Sequence, residues 1–154
     1  MKPVLLLCAV LGAITLTGCA ETRQPVVQCK FPRRALQHGP ALVAKQYGEI
    51  SPIPLDAVQF LDGSLSKEVV VQSLLATRTA TNTVMVTARL VNCTDGPLAL
   101  GARLNFMDAQ DAVAEPQSMW QTLVLQPRSL GVYQESSVSK TVQHYVVELR
   151  STAR

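Results

Sequence analysis

Charged residues are scarce in this sequence. Only 16% of its 154 residues are charged, against about 25% in typical globular proteins, which argues against a disordered polyelectrolyte. The formal net charge is +3, from 14 Lys and Arg against 11 Asp and Glu. This balance is too small and too dispersed for a nucleic-acid-binding surface. We therefore expect no nucleic acid among the partners, and the length favours one domain.

The motifs of several common chemistries are also missing. The eight glycines are dispersed and form no phosphate-binding loop, and no Gly-x-Ser-x-Gly turn is present to hold a serine nucleophile. No Cys-x-x-Cys pair occurs, and His38 and His144 are far from the cysteines in sequence, which disfavours a zinc site. Asp108, Asp111 and Glu115 lack the alternating spacing of a calcium loop, so capping of a turn backbone suits them better. We predict no metal, no cofactor and no enzymatic activity.

No hydrophobic run is long enough to cross a bilayer. The run from Val4 to Leu16 has 13 residues, whereas a transmembrane helix needs about 20. It follows the single positive charge of Lys2 and fits the apolar region of a secretory signal peptide. The run ends in Leu16-Thr17-Gly18-Cys19, which places an apolar residue and two small residues before a cysteine. The alternative is an uncleaved hydrophobic helix with an incidental cysteine.

This ending resembles the lipobox of bacterial lipoproteins. The resemblance implies cleavage before Cys19, so that residues 1–18 are a signal peptide, and acylation of the Cys19 thiol. More than one acyl chain gives a stable attachment to membrane lipid. Ala20 follows the cysteine, where many lipoproteins retained in the inner membrane carry Asp. The resemblance therefore implies a lipid anchor in the outer membrane, with the protein facing the periplasm.

Two cysteines remain if Cys8 leaves with the signal peptide and Cys19 carries lipid. The signal directs the chain to an oxidising compartment, where disulfides form and persist. We therefore predict a disulfide between Cys29 and Cys93, with two independent thiols as the alternative.

The composition and residue pattern of the chain change near residue 55. Residues 19–54 contain five prolines, which prevent a long helix and favour an extended, lipid-anchored tether. In residues 55–154, β-branched residues recur with a period of two, and turn residues separate them. We predict that this second part folds into an all-β, antiparallel, immunoglobulin-like β-sandwich of six or seven short strands.

The clearest strand pair covers Thr83–Asn92 and Leu98–Phe106, on either side of an Asp-Gly turn. Period-two alternation assigns one face of each strand to the core. These predicted core residues are Val84, Val86, Ala88, Leu90, Leu98, Leu100, Ala102, Leu104 and Phe106. The same alternation places Arg103 on the solvent face, where we expect Arg103→Asp to have a mild effect.

Trp120 is the only tryptophan of the chain. It is either a core anchor or, if exposed, part of a partner-binding patch with Tyr133 and Met107, because aromatic residues and Met are enriched at interface centres. The sequence leaves both interpretations open.

Several segments together resemble the YcfL family of small bacterial lipoproteins, a domain of unknown function. They are Val91–Leu98, Arg103–Gln110, Trp120, Leu125–Pro127 and Tyr145–Leu149. The resemblance covers about residues 55–150, and it implies a lipobox followed by one β-sandwich-like domain and no particular reaction. Asp111 stands where the family has a turn glycine, and Asp tolerates the left-handed conformation less well than Gly.

The sequence thus favours a non-enzymatic interaction or accessory module, anchored in the outer membrane and recruited to an envelope protein complex through a sheet edge and end loops. The alternative is a β-sandwich that binds a small ligand or glycan in a cleft. A flat, exposed apolar patch would favour the first interpretation, and a deep apolar pocket the second.

Overall fold

The computed structural model describes residues 27–31, 41–42, 47–48, 50–52 and 57–152. Its strands are β1 (Ala41–Leu42), β2 (Ile50–Pro52), β3 (Val58–Phe60), β4 (Val69–Arg78), β5 (Val84–Asn92), β6 (Leu98–Met107), β7 (Gln121–Leu125), β8 (Leu130–Ser136) and β9 (His144–Ser151). A short 3-10 helix covers Leu65–Lys67. The predicted signal peptide, Cys19 and most of the predicted tether lie outside these residues. In the described part, no helix has the length and apolar character that a membrane crossing requires.

The strands form two sheets. Sheet A has the order β1-β9-β6-β7, with β3 also paired to β9, and sheet B has the order β2-β4-β5-β8. The β3–β9 pair is parallel, and the other strand pairs are antiparallel. The chain is therefore an all-β sandwich, as predicted.

Alternation along the strands builds the core between the sheets. Val84, Val86, Ala88 and Leu90 of β5 are fully buried, as are Leu100, Ala102 and Leu104 of β6. Phe106 is also buried, whereas Leu98 at the start of β6 is only partly buried and packs against the core. The predicted core faces of both strands are thus confirmed. Each fully buried Leu contributes about 1.5–3 kcal/mol through removal of apolar surface from water.

A β-bulge interrupts the alternation of β4. Val69 and Val71 belong to the core, and so do Leu74 and Ala76, although the two pairs differ in parity. The register with β5 shifts between Val71 and Ser73, so the extra residue, Gln72, reverses which positions face inward. The shift explains why the sequence of this strand reads as a continuous apolar run.

The sandwich has two distinct ends. At the first, Cys93 N–H donates to the Glu68 carbonyl over 2.8 Å and Arg128 N–H donates to the Thr94 carbonyl over 3.2 Å. We call it the disulfide end, because Cys93 bonds there to Cys29, with a Cα–Cα distance of 5.6 Å. The predicted disulfide is thereby confirmed. The opposite end, which we call the distal end, carries the loops 79–83, 108–120 and 137–143.

Candidate functional site

Trp120 lies on the outer face of sheet A, where two arginines cover its ring. The guanidinium carbon of Arg103 is 4.4 Å from the ring centroid, and that of Arg150 is 4.1 Å away. Arg103 also forms an ion pair of 2.6 Å with Glu148, its cross-strand neighbour. Such cation–π contacts contribute about 0.5–1 kcal/mol at exposed sites. Both guanidinium groups are therefore held in place by the indole.

A glycine makes this stack possible. Gly101 pairs with Arg150 across β6 and β9, and it has no side chain to separate the indole from the sheet. A Cβ atom at this position would lie 3.2 Å from Cε3 of Trp120 and 3.2 Å from Cγ of Arg150. Contacts that short would require both side chains to shift.

The structure separates the three residues of the predicted partner patch. Tyr133 is 1% exposed and belongs to the core, so it cannot contribute to a surface patch with Trp120. Met107, the last residue of β6, is half-buried beside His144 and forms an isolated bridge with Val113. The expected grouping is wrong for Tyr133, because β8 directs this side chain between the sheets and not outward.

Two predicted turn residues fix the loop that follows β6. Asp108 caps the turn, since its carboxylate accepts from the Gln110 N–H at 2.9 Å and the Ala112 N–H at 3.0 Å. Asp111 has a φ of 59°, the left-handed conformation in which a glycine would be less strained. Its carboxylate pairs with Nδ1 of His144, so the turn is tied to the first residue of β9.

A cleft opens at the distal end, between the loop after β6 and the end of β8. Its volume is about 540 Å³. Its lining combines apolar side chains, serines and two carboxylates, namely Ala114, Glu115, Pro116, Ser118, Glu135, Ser136, Val138 and Ser139. We call it the distal cleft. Sequence reasoning did not bring these segments together, because they are joined only by the packing of the two sheets.

Neutral donors hold the two carboxylates of the distal cleft. Oε2 of Glu115 accepts from the N–H groups of Val138 and Ser139, at 2.9 and 2.6 Å. Oε2 of Glu135 accepts from the Tyr133 hydroxyl. Burial, together with the hydrogen bond and negative charge of Glu135, raises the pKa of Tyr133 above its ordinary value. Tyr133 therefore stays protonated near neutral pH and remains a donor.

Three exposed apolar side chains lie in the two loops that form the distal cleft. Val113 is 73% exposed, Met119 86% and Val138 87%. Val138 lines the cleft, and Val113 and Met119 each adjoin a lining residue in sequence. We call these three residues the apolar rim. Val138 stands between two serines in the sequence, a signal that could have indicated an exposed apolar side chain.

The described residues contain no cluster of three or more His, Cys, Asp or Glu side chains that could hold a metal ion. The distal cleft thus offers paired carboxylates, serine hydroxyls and apolar contacts. These groups can bind another molecule through hydrogen bonds, charge and apolar burial.

Comparison with known proteins supports the fold. No protein-family model matches the sequence, and no curated protein matches it. A DUF1425 family member from Shewanella sp. pv-4 superposes with a TM-score of 0.51 at 14% identity, covering 75% of this chain and 99% of that chain. The Campylobacter jejuni protein cj0090 superposes with a TM-score of 0.50 at 10% identity, covering 62% of this chain and 98% of that chain. At these identities the likeness shows the fold alone.

Proposed function

We propose that this protein is a non-enzymatic interaction module of the bacterial cell envelope, anchored by lipid and related to the YcfL-type lipoproteins that its sequence resembles. The observation that carries the proposal is the exposure of the apolar rim, where Val113, Met119 and Val138 are 73, 86 and 87% exposed. These side chains lie in the two loops that form the cleft, and exposed apolar side chains at such a site are typical of surfaces that another protein covers.

The disulfide supports a location outside the cytosol. Disulfides such as Cys29–Cys93 persist in oxidising compartments and are rare where glutathione keeps thiols reduced. The motif Leu16–Cys19 supports acylation of Cys19, and Ala20 supports transfer to the outer membrane. Cys29 lies ten positions after Cys19, and a fully extended chain of that length spans about 35 Å. A tether of this length would keep the disulfide end near the membrane and would allow the distal cleft to face away from it.

The anchor is tested by replacing the acylated cysteine. We expect Cys19→Ser to abolish incorporation of labelled palmitate and to release the protein from the membrane fraction. Cys8→Ser is the matched control, because it removes a cysteine from the apolar run without touching the motif. We expect Ala20→Asp to move the labelled protein to inner-membrane fractions on a density gradient. Equal labelling of Cys19→Ser and the unaltered protein would contradict the anchor.

The interaction surface is tested in intact cells by photo-crosslinking. A photoreactive residue at Val138 should give a discrete crosslinked product, because this position lies in the apolar rim. A photoreactive residue at Val132 is the control, since this side chain is 50% exposed on the outer face of sheet B. The same pattern of products from both positions would contradict a specific surface at the distal cleft.

A second candidate function is the binding of a small ligand or glycan in the distal cleft. Its volume of about 540 Å³ lies within the range of about 300–1,000 Å³ for ligand pockets. Its serines and carboxylates could bond to sugar hydroxyls. Against this candidate, the guanidinium groups of Arg103 and Arg150 both lie over the ring of Trp120, so that ring is already in contact with two side chains and is not free to stack on a sugar. Chemical-shift changes at the cleft on addition of cell-wall glycan fragments would favour it.

A further inference from the structure

We infer that the distal cleft binds a segment of a partner protein in which a Lys or Arg side chain is flanked by apolar residues. The inference rests on the proposed function, and it specifies the chemistry of the partner. Three features of the cleft carry it, namely its charge, the way in which its carboxylates are held, and the apolar rim around it.

The charge of the lining is negative. Among the described residues, Glu115 and Glu135 are the only charged side chains that line the cleft. The ion pairs of the described residues are Arg103–Glu148, Arg128–Asp95 and His144–Asp111, and neither cleft carboxylate takes part in them. Both glutamates are half-buried, where a charge is screened less than on an open surface. A cationic group entering the cleft would therefore be attracted by two carboxylates.

The carboxylates are positioned before any partner arrives. Glu115 is held by the backbone N–H groups of Val138 and Ser139, and Glu135 by the hydroxyl of Tyr133, whose ring is fixed in the core. In each case the described hydrogen bonds engage one carboxylate oxygen, Oε2. The other oxygen can then accept a hydrogen bond from an ammonium or guanidinium group without a rearrangement of the site. Such charge-assisted bonds are about twice as strong as bonds between neutral groups.

The apolar rim indicates that the cation belongs to a protein segment. A free metal ion or a polyamine would satisfy the carboxylates but would leave Val113, Met119 and Val138 in water. A peptide with apolar residues on either side of its Lys or Arg would cover the rim and neutralise the cleft together. Such an arrangement, with apolar contacts around a desolvated charge, is typical of energetically important interface residues.

The experiment selects peptides on the purified full-length protein in detergent. Random 12-residue peptides displayed on phage are the probe, and the Val138→Asp variant is used to remove peptides that bind elsewhere. We expect the selected peptides to carry a Lys or Arg between apolar residues. The best peptide is then titrated by calorimetry. Glu115→Gln and Glu135→Gln should each weaken its binding at least about tenfold, because each removes one charge-assisted bond.

Two controls separate loss of binding from loss of structure. Gln keeps an oxygen that can accept the bonds now made to Oε2, and circular dichroism and the Tm verify that each variant is folded. Asp95→Asn removes a negative charge at the disulfide end, where the side chain is 88% exposed, and should leave the affinity unchanged. If a glutamine variant does not fold, Val138→Thr tests the same cleft without altering a carboxylate, and it should weaken the best peptide severalfold.

The outcomes distinguish this inference from the proposed function. Two results would overturn the inference and leave the proposed function standing. In the first, the selected peptides depend on Val138 but lack a basic residue. In the second, they bind both glutamine variants with the same affinity as the unaltered protein. A dimer that Val138→Asp dissociates would assign the rim to a second copy of this chain and would also overturn it. An absence of Val138-dependent peptides, together with an absence of crosslinks from Val138, would overturn both.

Discussion

The side-chain amide of Asn92, the last residue of β5, donates to the backbone carbonyl of Leu125, the last residue of β7, over 3.2 Å. The same nitrogen donates to the carbonyls of Gly96 and Gln126, at 2.9 and 3.0 Å. The amide oxygen accepts from the N–H and the hydroxyl of Thr94. Because β5 belongs to sheet B and β7 to sheet A, this buried side chain connects the two sheets at the disulfide end.

We predict that Asn92→Asp destabilises the protein by about 3 kcal/mol or more at neutral pH, because it buries a negative charge against three carbonyl oxygens. Urea unfolding measures the loss. The difference in unfolding free energy between Asn92→Asp and the unaltered protein should shrink as the pH falls, since protonation removes the buried charge. Asn82→Asp is the control, because Asn82 is an exposed turn residue, and it should cost less than about 1 kcal/mol. Equal losses in both variants would contradict a connecting role for Asn92.

Period-two alternation was enough to predict the core faces of β5 and β6, because burial of one sheet face dictates the positions of apolar side chains. It assigned Leu104 to the core and Arg103 to the outer face, and both assignments are confirmed. It gave no information about what an outward side chain contacts. Arg103 pairs with Glu148 and stacks on Trp120, so Arg103→Asp would set two carboxylates beside each other. We therefore now expect Arg103→Asp to destabilise the protein more than its outward position alone predicts.

The stack on Trp120 can be tested by fluorescence, because the chain has a single tryptophan. Arg150→Gln removes one of the two guanidinium groups that lie over the indole, so we expect a red-shifted emission and stronger quenching by acrylamide. The loss of stability should not exceed about 1 kcal/mol, the usual scale of an exposed cation–π contact. Arg128→Gln is the control, since Arg128 pairs with Asp95 at the disulfide end. Unchanged quenching in Arg150→Gln would contradict the stack.

The distal cleft could not be predicted from the sequence, for a physical reason. Glu115 and Glu135 line the same cleft. Glu115 lies in the loop after β6 of sheet A, and Glu135 lies near the end of β8 in sheet B. Their proximity depends on how the two sheets pack, and on Asp108 and Asp111 directing the loop after β6. Neither condition leaves a periodic signal in the sequence. The turn itself was predictable, because Asp favours capping and accepts a positive φ.

Reduction of the Cys29–Cys93 bond should destabilise the protein substantially. The two cysteines are separated by 64 positions. A disulfide that closes a loop of that length lowers the entropy of the unfolded chain and thereby stabilises the folded state by about 4 kcal/mol. We expect the urea midpoint to fall markedly in the presence of a reductant. The Cys29→Ser, Cys93→Ser double variant should unfold at the lower midpoint with or without reductant. An unaltered midpoint for the reduced protein would contradict this role.

Tyr145 is fully buried in β9, and its hydroxyl has no hydrogen-bond partner among the described residues. Leaving a buried polar group unsatisfied costs about 1–3 kcal/mol. We therefore predict that Tyr145→Phe leaves the free energy of unfolding at neutral pH unchanged or raises it. Tyr133→Phe is the contrasting variant, because the Tyr133 hydroxyl donates to Glu135, and it should lower that free energy.

The same burial predicts how stability depends on alkaline pH. Burial raises the pKa of Tyr145 above its ordinary value of 10.0, so the folded protein holds this proton after the unfolded chain has begun to release it. The resulting stability is fully present below about pH 10 and falls at higher pH, by up to about 1.4 kcal/mol per pH unit for each such tyrosine. Urea unfolding between about pH 9 and pH 11 should therefore show a shallower decline for Tyr145→Phe than for the unaltered protein. Parallel declines would mean that Tyr145 titrates alike in the folded and unfolded chains.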